Sequence, residues 1–154
     1  MRRAITGFHR DELGDWVAEL DCGHNQHVRH KPPFTLRPWV TSERGRSEKL
    51  GERLACVRCD RFELPETVRA YRSTRVFTEE TIPRGLLANH ATATGVWGRI
   101  HVHDGELHYH IEDAPELDRV IAAGQIGIVV PERRHRVRPL GSVRFNVEFI
   151  RVPR

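Results

Sequence analysis

The feature that most constrains the fold is a run of alternating apolar and polar residues on both sides of Asp104-Gly105. Before this dipeptide, Ile100 and Val102 are separated by polar residues. After it, every second residue is again apolar, namely Leu107, Tyr109 and Ile111. An Asp-Gly pair between alternating runs is typical of a β-hairpin with a two-residue turn. The pattern predicts such a hairpin, with its apolar side chains on one face.

Further short segments with a period of two surround this hairpin. Val76-Phe77 precedes it, residues 126–130 end at Pro131, and every second residue of 143–149 is apolar. Short strands separated by glycine and proline are typical of an antiparallel sandwich or barrel. The sequence therefore predicts a mainly β fold, in which the second part of the chain is a jelly roll.

The composition changes near Glu63-Leu64-Pro65-Glu66, which predicts a boundary between a small module of residues 1–64 and a domain of residues 65–154. The first module has few large apolar side chains. A domain of this size usually needs a metal, disulfides or a partner in order to fold.

Three cysteines are an odd number for a disulfide framework and are better suited to a metal site. Cys56-x-x-Cys59 places two thiolates on one turn, and Cys22-x-His24 lies where an N-terminal β-hairpin would reverse. These four residues predict a closed, structural zinc site, with His27 as the alternative to His24. The competing interpretation is that Cys22 is a small buried apolar residue and that the nearby histidines lie on the surface.

The net charge excludes few classes of function, and it does not indicate a polyanionic partner. The chain has 25 Lys+Arg and 21 Asp+Glu, and the net charge of +4 is spread evenly along it. Nucleic-acid binding is therefore not expected from charge alone. It would require a contiguous arginine face, for which the candidates are Arg2, Arg3, Arg29, Arg37 and Arg58. No run of 18 apolar residues occurs, and the Met-Arg-Arg start has no apolar segment, so we expect a cytoplasmic protein without a membrane anchor.

The segments GDWVAEL, CGHNQHVRH, RPWV and CVRCD resemble a family of small bacterial proteins of unknown function, over residues 1–64. This resemblance implies no established activity. The CGHNQHVRH segment contains more polar residues than four zinc ligands require. These residues either recognise a partner or orient the ligands by hydrogen bonds. They are His24, Gln26, His27, Arg29 and His30.

The segments HATATGVWGRIHV, AGQIGIVVPERRH and LGSVRFNVEFIR are similar to the small cupin family that includes YeaR and the N-terminal domain of some TehB tellurite-resistance proteins. The resemblance covers residues 66–152. It implies a double-stranded β-helix, often a homodimer, and a link to toxic oxyanions or stress without a settled reaction.

The resemblance also assigns a pocket. His90 matches the first histidine of the first cupin motif and His135 the histidine of the second, but Thr92 stands where another histidine is usual. Glu132 or Glu112 would be the third polar group. Such a set could hold a second divalent metal (Fe, Zn or Ni). The alternative is that both histidines only form hydrogen bonds at a polar barrel mouth.

The remaining aromatic and histidine residues near this motif have simpler interpretations. Trp97, between Gly95 and Gly98, is expected either in the core or as a wall of the pocket. His101 and His108 are expected on a solvated face, where a bound metal would be adventitious.

The sequence is consistent with three classes of function. The first is a metal-binding cupin that binds a small anionic molecule in a stress or oxyanion response. The second is a metal-dependent enzyme, such as a dioxygenase, that acts on a small molecule. The third is an interaction protein whose zinc module binds nucleic acid or a protein partner.

Overall fold

The computed structural model describes residues 1–153, and the chain divides into two compact units. The first unit is Met1–Arg61 and the second unit is Phe62–Arg154. Strands dominate both units, so the predicted mainly β fold class is confirmed. Within residues 1–153, no helix is long and apolar enough to cross a membrane.

The first unit is a four-stranded antiparallel sheet with three short helices. The sheet order is β3-β2-β1-β4. Its strands are β1 (Arg2–Arg10), β2 (Trp16–Leu20), β3 (Asn25–His27) and β4 (Arg53–Ala55). Its helices are a 3-10 helix (Pro38–Thr41), α1 (Glu43–Glu48) and α2 (Val57–Asp60).

Helix α1 lies between a serine cap and a glycine, both of which are local sequence signals. The Ser42 hydroxyl accepts a hydrogen bond from the Gly45 amide at 3.0 Å and caps the N-terminus. Gly51 follows with a φ of +83°, a conformation that glycine adopts without strain. The sequence therefore specifies both ends of this helix locally.

Up to residue 153, the second unit is a six-stranded antiparallel arrangement with one short helix, α3 (Arg84–Leu87). Four strands lie in the order β5-β10-β7-β8, while β6 pairs with β10 and β9 pairs with β7. The strands are β5 (Arg69–Ser73), β6 (Phe77–Thr78), β7 (Val96–Ile111), β8 (Leu117–Ala122), β9 (Ile126–Val129) and β10 (Arg136–Arg151).

The predicted hairpin at Asp104-Gly105 is wrong, because β7 runs through this dipeptide as one long strand. Both halves of β7 pair with β10, and the ladder changes register on each side of Asp104-Gly105. Gly105 has a φ of +72°, and a Cβ built there would lie 1.9 Å from the Ser142 carbonyl oxygen. The dipeptide therefore forms a β-bulge against the middle of β10 instead of a turn.

The bulge explains why the apolar pattern suggested a hairpin. It shifts the alternation by one residue, so Ile100 and Val102 before it face the same core as Leu107 and Tyr109 after it. The first half of β7 pairs with β9 and the second half with β8, so the sheet changes partners at the bulge. Phe77 and Phe145, with ring centroids 5.6 Å apart, join this core, as do Ile82, Ile111, Ile121, Val129, Val137, Val143 and Val147. A cupin assignment for this curled arrangement stays a prediction.

Candidate functional sites

The first candidate site lies at one end of the first unit, where two separate segments meet. Cys22 and His24 lie on the turn between β2 and β3, and Cys56 and Cys59 lie at and within α2. Gly23, with a φ of +91°, lets the turn close, and the Leu20 amide donates to the His24 carbonyl at 3.0 Å. The turn thus places two potential ligands against two others that are more than thirty residues away in sequence.

The four ligand atoms have the spacing of a tetrahedral metal site. The Nδ1 atom of His24 lies 3.5 Å from the Cys22 Sγ, 3.4 Å from the Cys56 Sγ and 3.6 Å from the Cys59 Sγ. The Sγ atoms of Cys22 and Cys56 are 4.0 Å apart. Tetrahedral zinc with Zn–S of about 2.3 Å and Zn–N of about 2.05 Å would separate sulfur from nitrogen by about 3.5 Å, and sulfur from sulfur by about 3.8 Å. The group could therefore bind zinc without rearrangement.

Burial and charge also fit a metal centre. All four residues are buried, and none of the cysteines forms a disulfide. Hydrogen bonds from the thiols of Cys22 and Cys59 hold the pKa of Cys56 well below its ordinary value. The cluster thus already favours one thiolate, which is the form that ligates metals.

The other polar residues of the CGHNQHVRH segment point to other partners. His27 Nε2 lies 2.8 Å from the Asp11 carboxylate, so the structure groups His24, and not the alternative His27, with the cysteines. Arg29 donates to Asp15 at 2.7 Å, and the Arg37 amide donates to His30 Nδ1 at 3.0 Å. The arginine face that nucleic-acid binding would require is also interrupted, since Arg3 is buried and Arg29 is paired.

The second candidate site is built on a pair of histidines in the second unit. The backbones of His90 and His135 form a two-bond antiparallel bridge, with N–H to O=C distances of 2.9 and 2.8 Å. Their imidazole centroids are 4.1 Å apart. The two residues that the sequence matched to the cupin motifs therefore meet, although 45 positions separate them.

Hydrogen bonds orient both imidazoles in the same way. His90 Nδ1 lies 3.0 Å from the Ala88 carbonyl oxygen, and His135 Nδ1 lies 2.9 Å from the Arg133 carbonyl oxygen. Because a carbonyl only accepts, Nδ1 carries the proton in each neutral ring. The Nε2 atom of each neutral ring is then the nitrogen with a lone pair for a ligand.

The electrostatics keep at least one of these rings neutral. His135 is buried, and desolvation lowers its pKa to about 4, although the Arg133 carbonyl favours the protonated form. The nearby His90 lowers it further. Near neutral pH, His135 is therefore a hydrogen-bond acceptor at Nε2, and it does not offer a positive charge.

The histidines line a cavity of about 310 Å³. Its walls are mainly apolar, from Leu86, Ala91, Ala93, Val96, Gly98, Ile100, Val129, Val137, Phe145, Val147 and Phe149. The polar lining is confined to Tyr71, Arg72 and Thr92 in addition to the two histidines. The cavity thus combines an apolar wall with a cation and a pair of imidazoles.

Three residues that the sequence placed in this pocket lie elsewhere. Val96 and Gly98 line the cavity, so strand alternation turns Trp97 between them to the opposite face of β7, where it is fully buried. Glu112 pairs with Arg136, and Glu132 accepts from the Thr94 hydroxyl at 2.9 Å. None of these three residues lines the cavity, and Trp97 takes the core position that the sequence left open as the alternative.

The comparison with protein families agrees with the division into two units. Residues 6–63 match the model of a protein family of unknown function, DUF3565, and residues 72–147 match the TehB-like domain. Most of the first unit thus matches the DUF3565 model and most of the second the TehB-like model, and we call the two units the DUF3565 domain and the TehB-like domain. No curated protein matches the chain significantly.

Solved structures resemble the TehB-like domain. A structural-genomics crystal structure of a protein from E. coli strain K12 has a TM-score of 0.55 and 27% identity, and the match covers 60% of this chain and 98% of that one. TehB from Haemophilus influenzae has a TM-score of 0.52 and 22% identity, with 56% of this chain and 32% of TehB covered. The likeness to TehB therefore concerns a third of that protein and shows the fold alone.

Sequence reasoning missed Tyr71 and Arg72 of the TehB-like domain. They lie on β5, and neither residue has a pocket role among the sequence predictions. β5 reaches the cavity only because it pairs with β10, which follows it in sequence by more than sixty residues. No local signal in the sequence could have identified these two residues.

Proposed function

We propose that the TehB-like domain binds a small molecule with an apolar body and an acidic or hydroxyl end. The observation that carries this proposal is the pair of oriented imidazoles in an otherwise apolar cavity. Cavities of this kind, with few convergent polar groups, are typical of small-molecule sites. The role would lie in the stress or toxic-oxyanion response that the resemblance to tellurite-resistance proteins implies.

The polar lining supports a ligand that is anionic or acidic. Arg72 supplies a positive charge at the cavity and can pair with a carboxylate or another oxyanion. The Nε2 atom of neutral His135 accepts a hydrogen bond, so it complements a hydroxyl group or a protonated acid. An inorganic oxyanion alone would leave the apolar wall unused.

A metal-dependent enzyme, with Fe, Zn or Ni at His90 and His135, has weaker support. Such a site usually needs a third protein ligand. In the described part of the chain, the close groups of three or more potential ligands include neither histidine. Binding without metal catalysis therefore accounts better for the arrangement.

We further propose that the DUF3565 domain has a structural role. Its closed Cys₃His group would hold one zinc ion and so stabilise a small sheet. All four ligand positions come from the protein, which leaves no open position for chemistry. Dimerisation through the TehB-like domain, and any protein partner of the zinc module, are further parts of this proposal.

Binding to the full chain can be tested by isothermal titration with hexanoate, hexanol and sodium tellurite. We expect saturable binding of hexanoate, weaker binding of hexanol, and little binding of tellurite. Arg72→Ala should weaken hexanoate binding at least tenfold and affect hexanol little, because only the acid pairs with Arg72. Arg69→Ala is the matched control, since Arg69 is exposed on the same strand and does not line the cavity.

Two outcomes would contradict the proposal. If no probe shows saturable binding, the cavity is not a site for this class of molecule. If Arg69→Ala weakens hexanoate binding as much as Arg72→Ala, the effect comes from general surface charge and not from the cavity.

A further inference from the structure

A third group of potential ligands lies on the outer face of the TehB-like domain, away from the cavity. His108, His110 and Asp118 offer ligand atoms that all lie within 4.8 Å of one another. The core residues Leu107, Tyr109 and Ile111 alternate with the histidines along β7, so His108 and His110 point to the opposite side of the strand. This group is therefore separate from the His90–His135 pair.

The sheet itself places these three residues together. His108 and His110 are two positions apart and share one face of β7, with ring centroids 6.0 Å apart. Asp118 on the neighbouring strand β8 lies directly opposite His110. Its Oδ1 atom contacts His108 Nε2 and lies 3.9 Å from His110 Nδ1. One carboxylate oxygen is thus within reach of both imidazoles.

The group faces open space. His108, His110 and Asp118 line a groove of about 650 Å³ together with Arg136 and Arg138 of β10. The two histidines are each 22% exposed and the carboxylate is 69% exposed. An ion held by these three residues would therefore keep coordination positions open to water or to a small anion.

We propose that His108, His110 and Asp118 form a binding site for one divalent transition-metal ion of the Zn²⁺, Ni²⁺ or Cu²⁺ type. Two imidazoles and one carboxylate suit these ions, which accept mixed nitrogen and oxygen ligands. The ligands lie on paired strands of one sheet and not on loops, so the backbone positions them before the metal binds.

The charges near these three residues affect whether a bound metal ion would also coordinate an anion. Arg136 pairs with Glu112, so much of its charge is already balanced. Arg138 is exposed and lies opposite His108 on β10. Its guanidinium opposes a bare cation but would favour an ion that carries an anion on an open position.

The site can be tested by titrating the purified full chain, with its DUF3565 site loaded, with Zn²⁺ in a calorimeter. We expect one further equivalent with micromolar affinity. His108→Ala, His110→Ala and Asp118→Asn should each weaken this second binding event at least tenfold. His103→Ala is the matched control, because His103 is exposed on the same strand, contacts Asn146 and lies outside the group.

Spectroscopy separates this site from simple chelation by surface histidines. Cu²⁺ added to the full chain should give an electron paramagnetic resonance spectrum with coupling to nitrogen, and Asp118→Asn should change that spectrum. Unchanged affinity in Asp118→Asn would overturn the three-ligand site, and so would equal losses in His103→Ala and His108→Ala. Cys56→Ser should leave the second binding event in place, which separates this test from the proposed zinc of the DUF3565 domain.

Discussion

In the DUF3565 domain the buried apolar side chains are few and small, chiefly Ile5, Val17, Leu20, Val28 and Val40, and the cysteine cluster is buried beside them. In the TehB-like domain, by contrast, the core contains Phe77, Phe145 and Tyr109 within a continuous cluster of aliphatic residues. The two domains are each under a hundred residues long, yet only the second buries large aromatic side chains in its core.

This difference indicates that the two domains are stabilised by different interactions. Burying a large apolar side chain contributes about 1.5–3 kcal/mol, so a core such as that of the TehB-like domain can offset chain entropy. A structural zinc contributes about 10–16 kcal/mol of binding energy that exists only when its ligands are assembled. We therefore expect the DUF3565 domain to depend on its metal site and the TehB-like domain on packing.

Removal of the metal should have the largest effect. Cys56→Ser should unfold residues 1–61 and leave the TehB-like domain folded, because the lost binding energy exceeds the usual stability of a small domain. Metal analysis should show the loss of one zinc, and circular dichroism should show the loss of one of two melting transitions. A stoichiometric zinc content in the double variant Cys56→Ser/Cys59→Ser would contradict the assignment.

A core truncation in the other domain should have the reciprocal effect. Leu107 is fully buried at the centre of the TehB-like core, so Leu107→Ala should lower the free energy of unfolding of this domain by about 2–5 kcal/mol. Urea denaturation gives the change, and the zinc content of the protein should stay at its original value. Loss of zinc in this variant would show that the two domains do not fold separately.

Acid should destabilise the TehB-like domain through His135. In the unfolded chain this histidine takes up a proton as the pH falls below 6.5, whereas burial keeps it neutral in the folded state down to about pH 4. The stabilisation is therefore complete above pH 6.5 and is lost as the pH falls from 6.5 to 4, a change of about 3 kcal/mol.

Tryptophan fluorescence can separate the effect of acid on the TehB-like domain from the loss of zinc by the DUF3565 domain. Trp97 lies in the TehB-like domain, so Trp16→Phe and Trp39→Phe leave it as the single reporter. Urea denaturation at several pH values should show the decline, and His135→Gln should flatten it between pH 6.5 and 4. An equal decline in His135→Gln would assign the acid sensitivity to other groups.

The choice of the first residue of a TehB-like fragment should have a smaller effect on its stability. Phe62 packs against the TehB-like core, so a fragment of residues 62–154 should be more stable by about 1 kcal/mol than one of residues 66–154. Both should fold alone as β proteins, and light scattering will show whether they dimerise. The absence of a cooperative melt in both fragments would mean that the two domains share one core.

The smallest effect is expected at His27. Its contact with Asp11 is largely exposed, and ion pairs of this kind contribute little to stability. His27→Ala should therefore leave both the zinc content and the melting of the DUF3565 domain nearly unchanged, whereas His24→Ala should remove the metal. If the two variants behave alike, the choice of His24 as ligand is wrong.

The sequence by itself was sufficient to predict features that depend on local spacing, such as the pairs of metal ligands. Cys56-x-x-Cys59 and Cys22-x-His24 each lie within one turn, so their ligand atoms face together whatever the rest of the chain does. Ser42 and Gly51 bound a helical segment for the same reason. On each side of the bulge in β7, the alternation likewise specifies which side chains face the core, because successive residues of a regular strand point to opposite faces.

Only the tertiary structure decided the features that depend on which strands pair. Asp104-Gly105 has the sequence of a turn, but β10 pairs with both halves of β7 and converts the dipeptide into a bulge. Long-range pairing also brings His90 to His135, turns Trp97 away from the cavity and carries Arg72 into it. These outcomes follow from strand register, which the hydrogen bonds and packing of the whole sheet determine and which no short segment encodes.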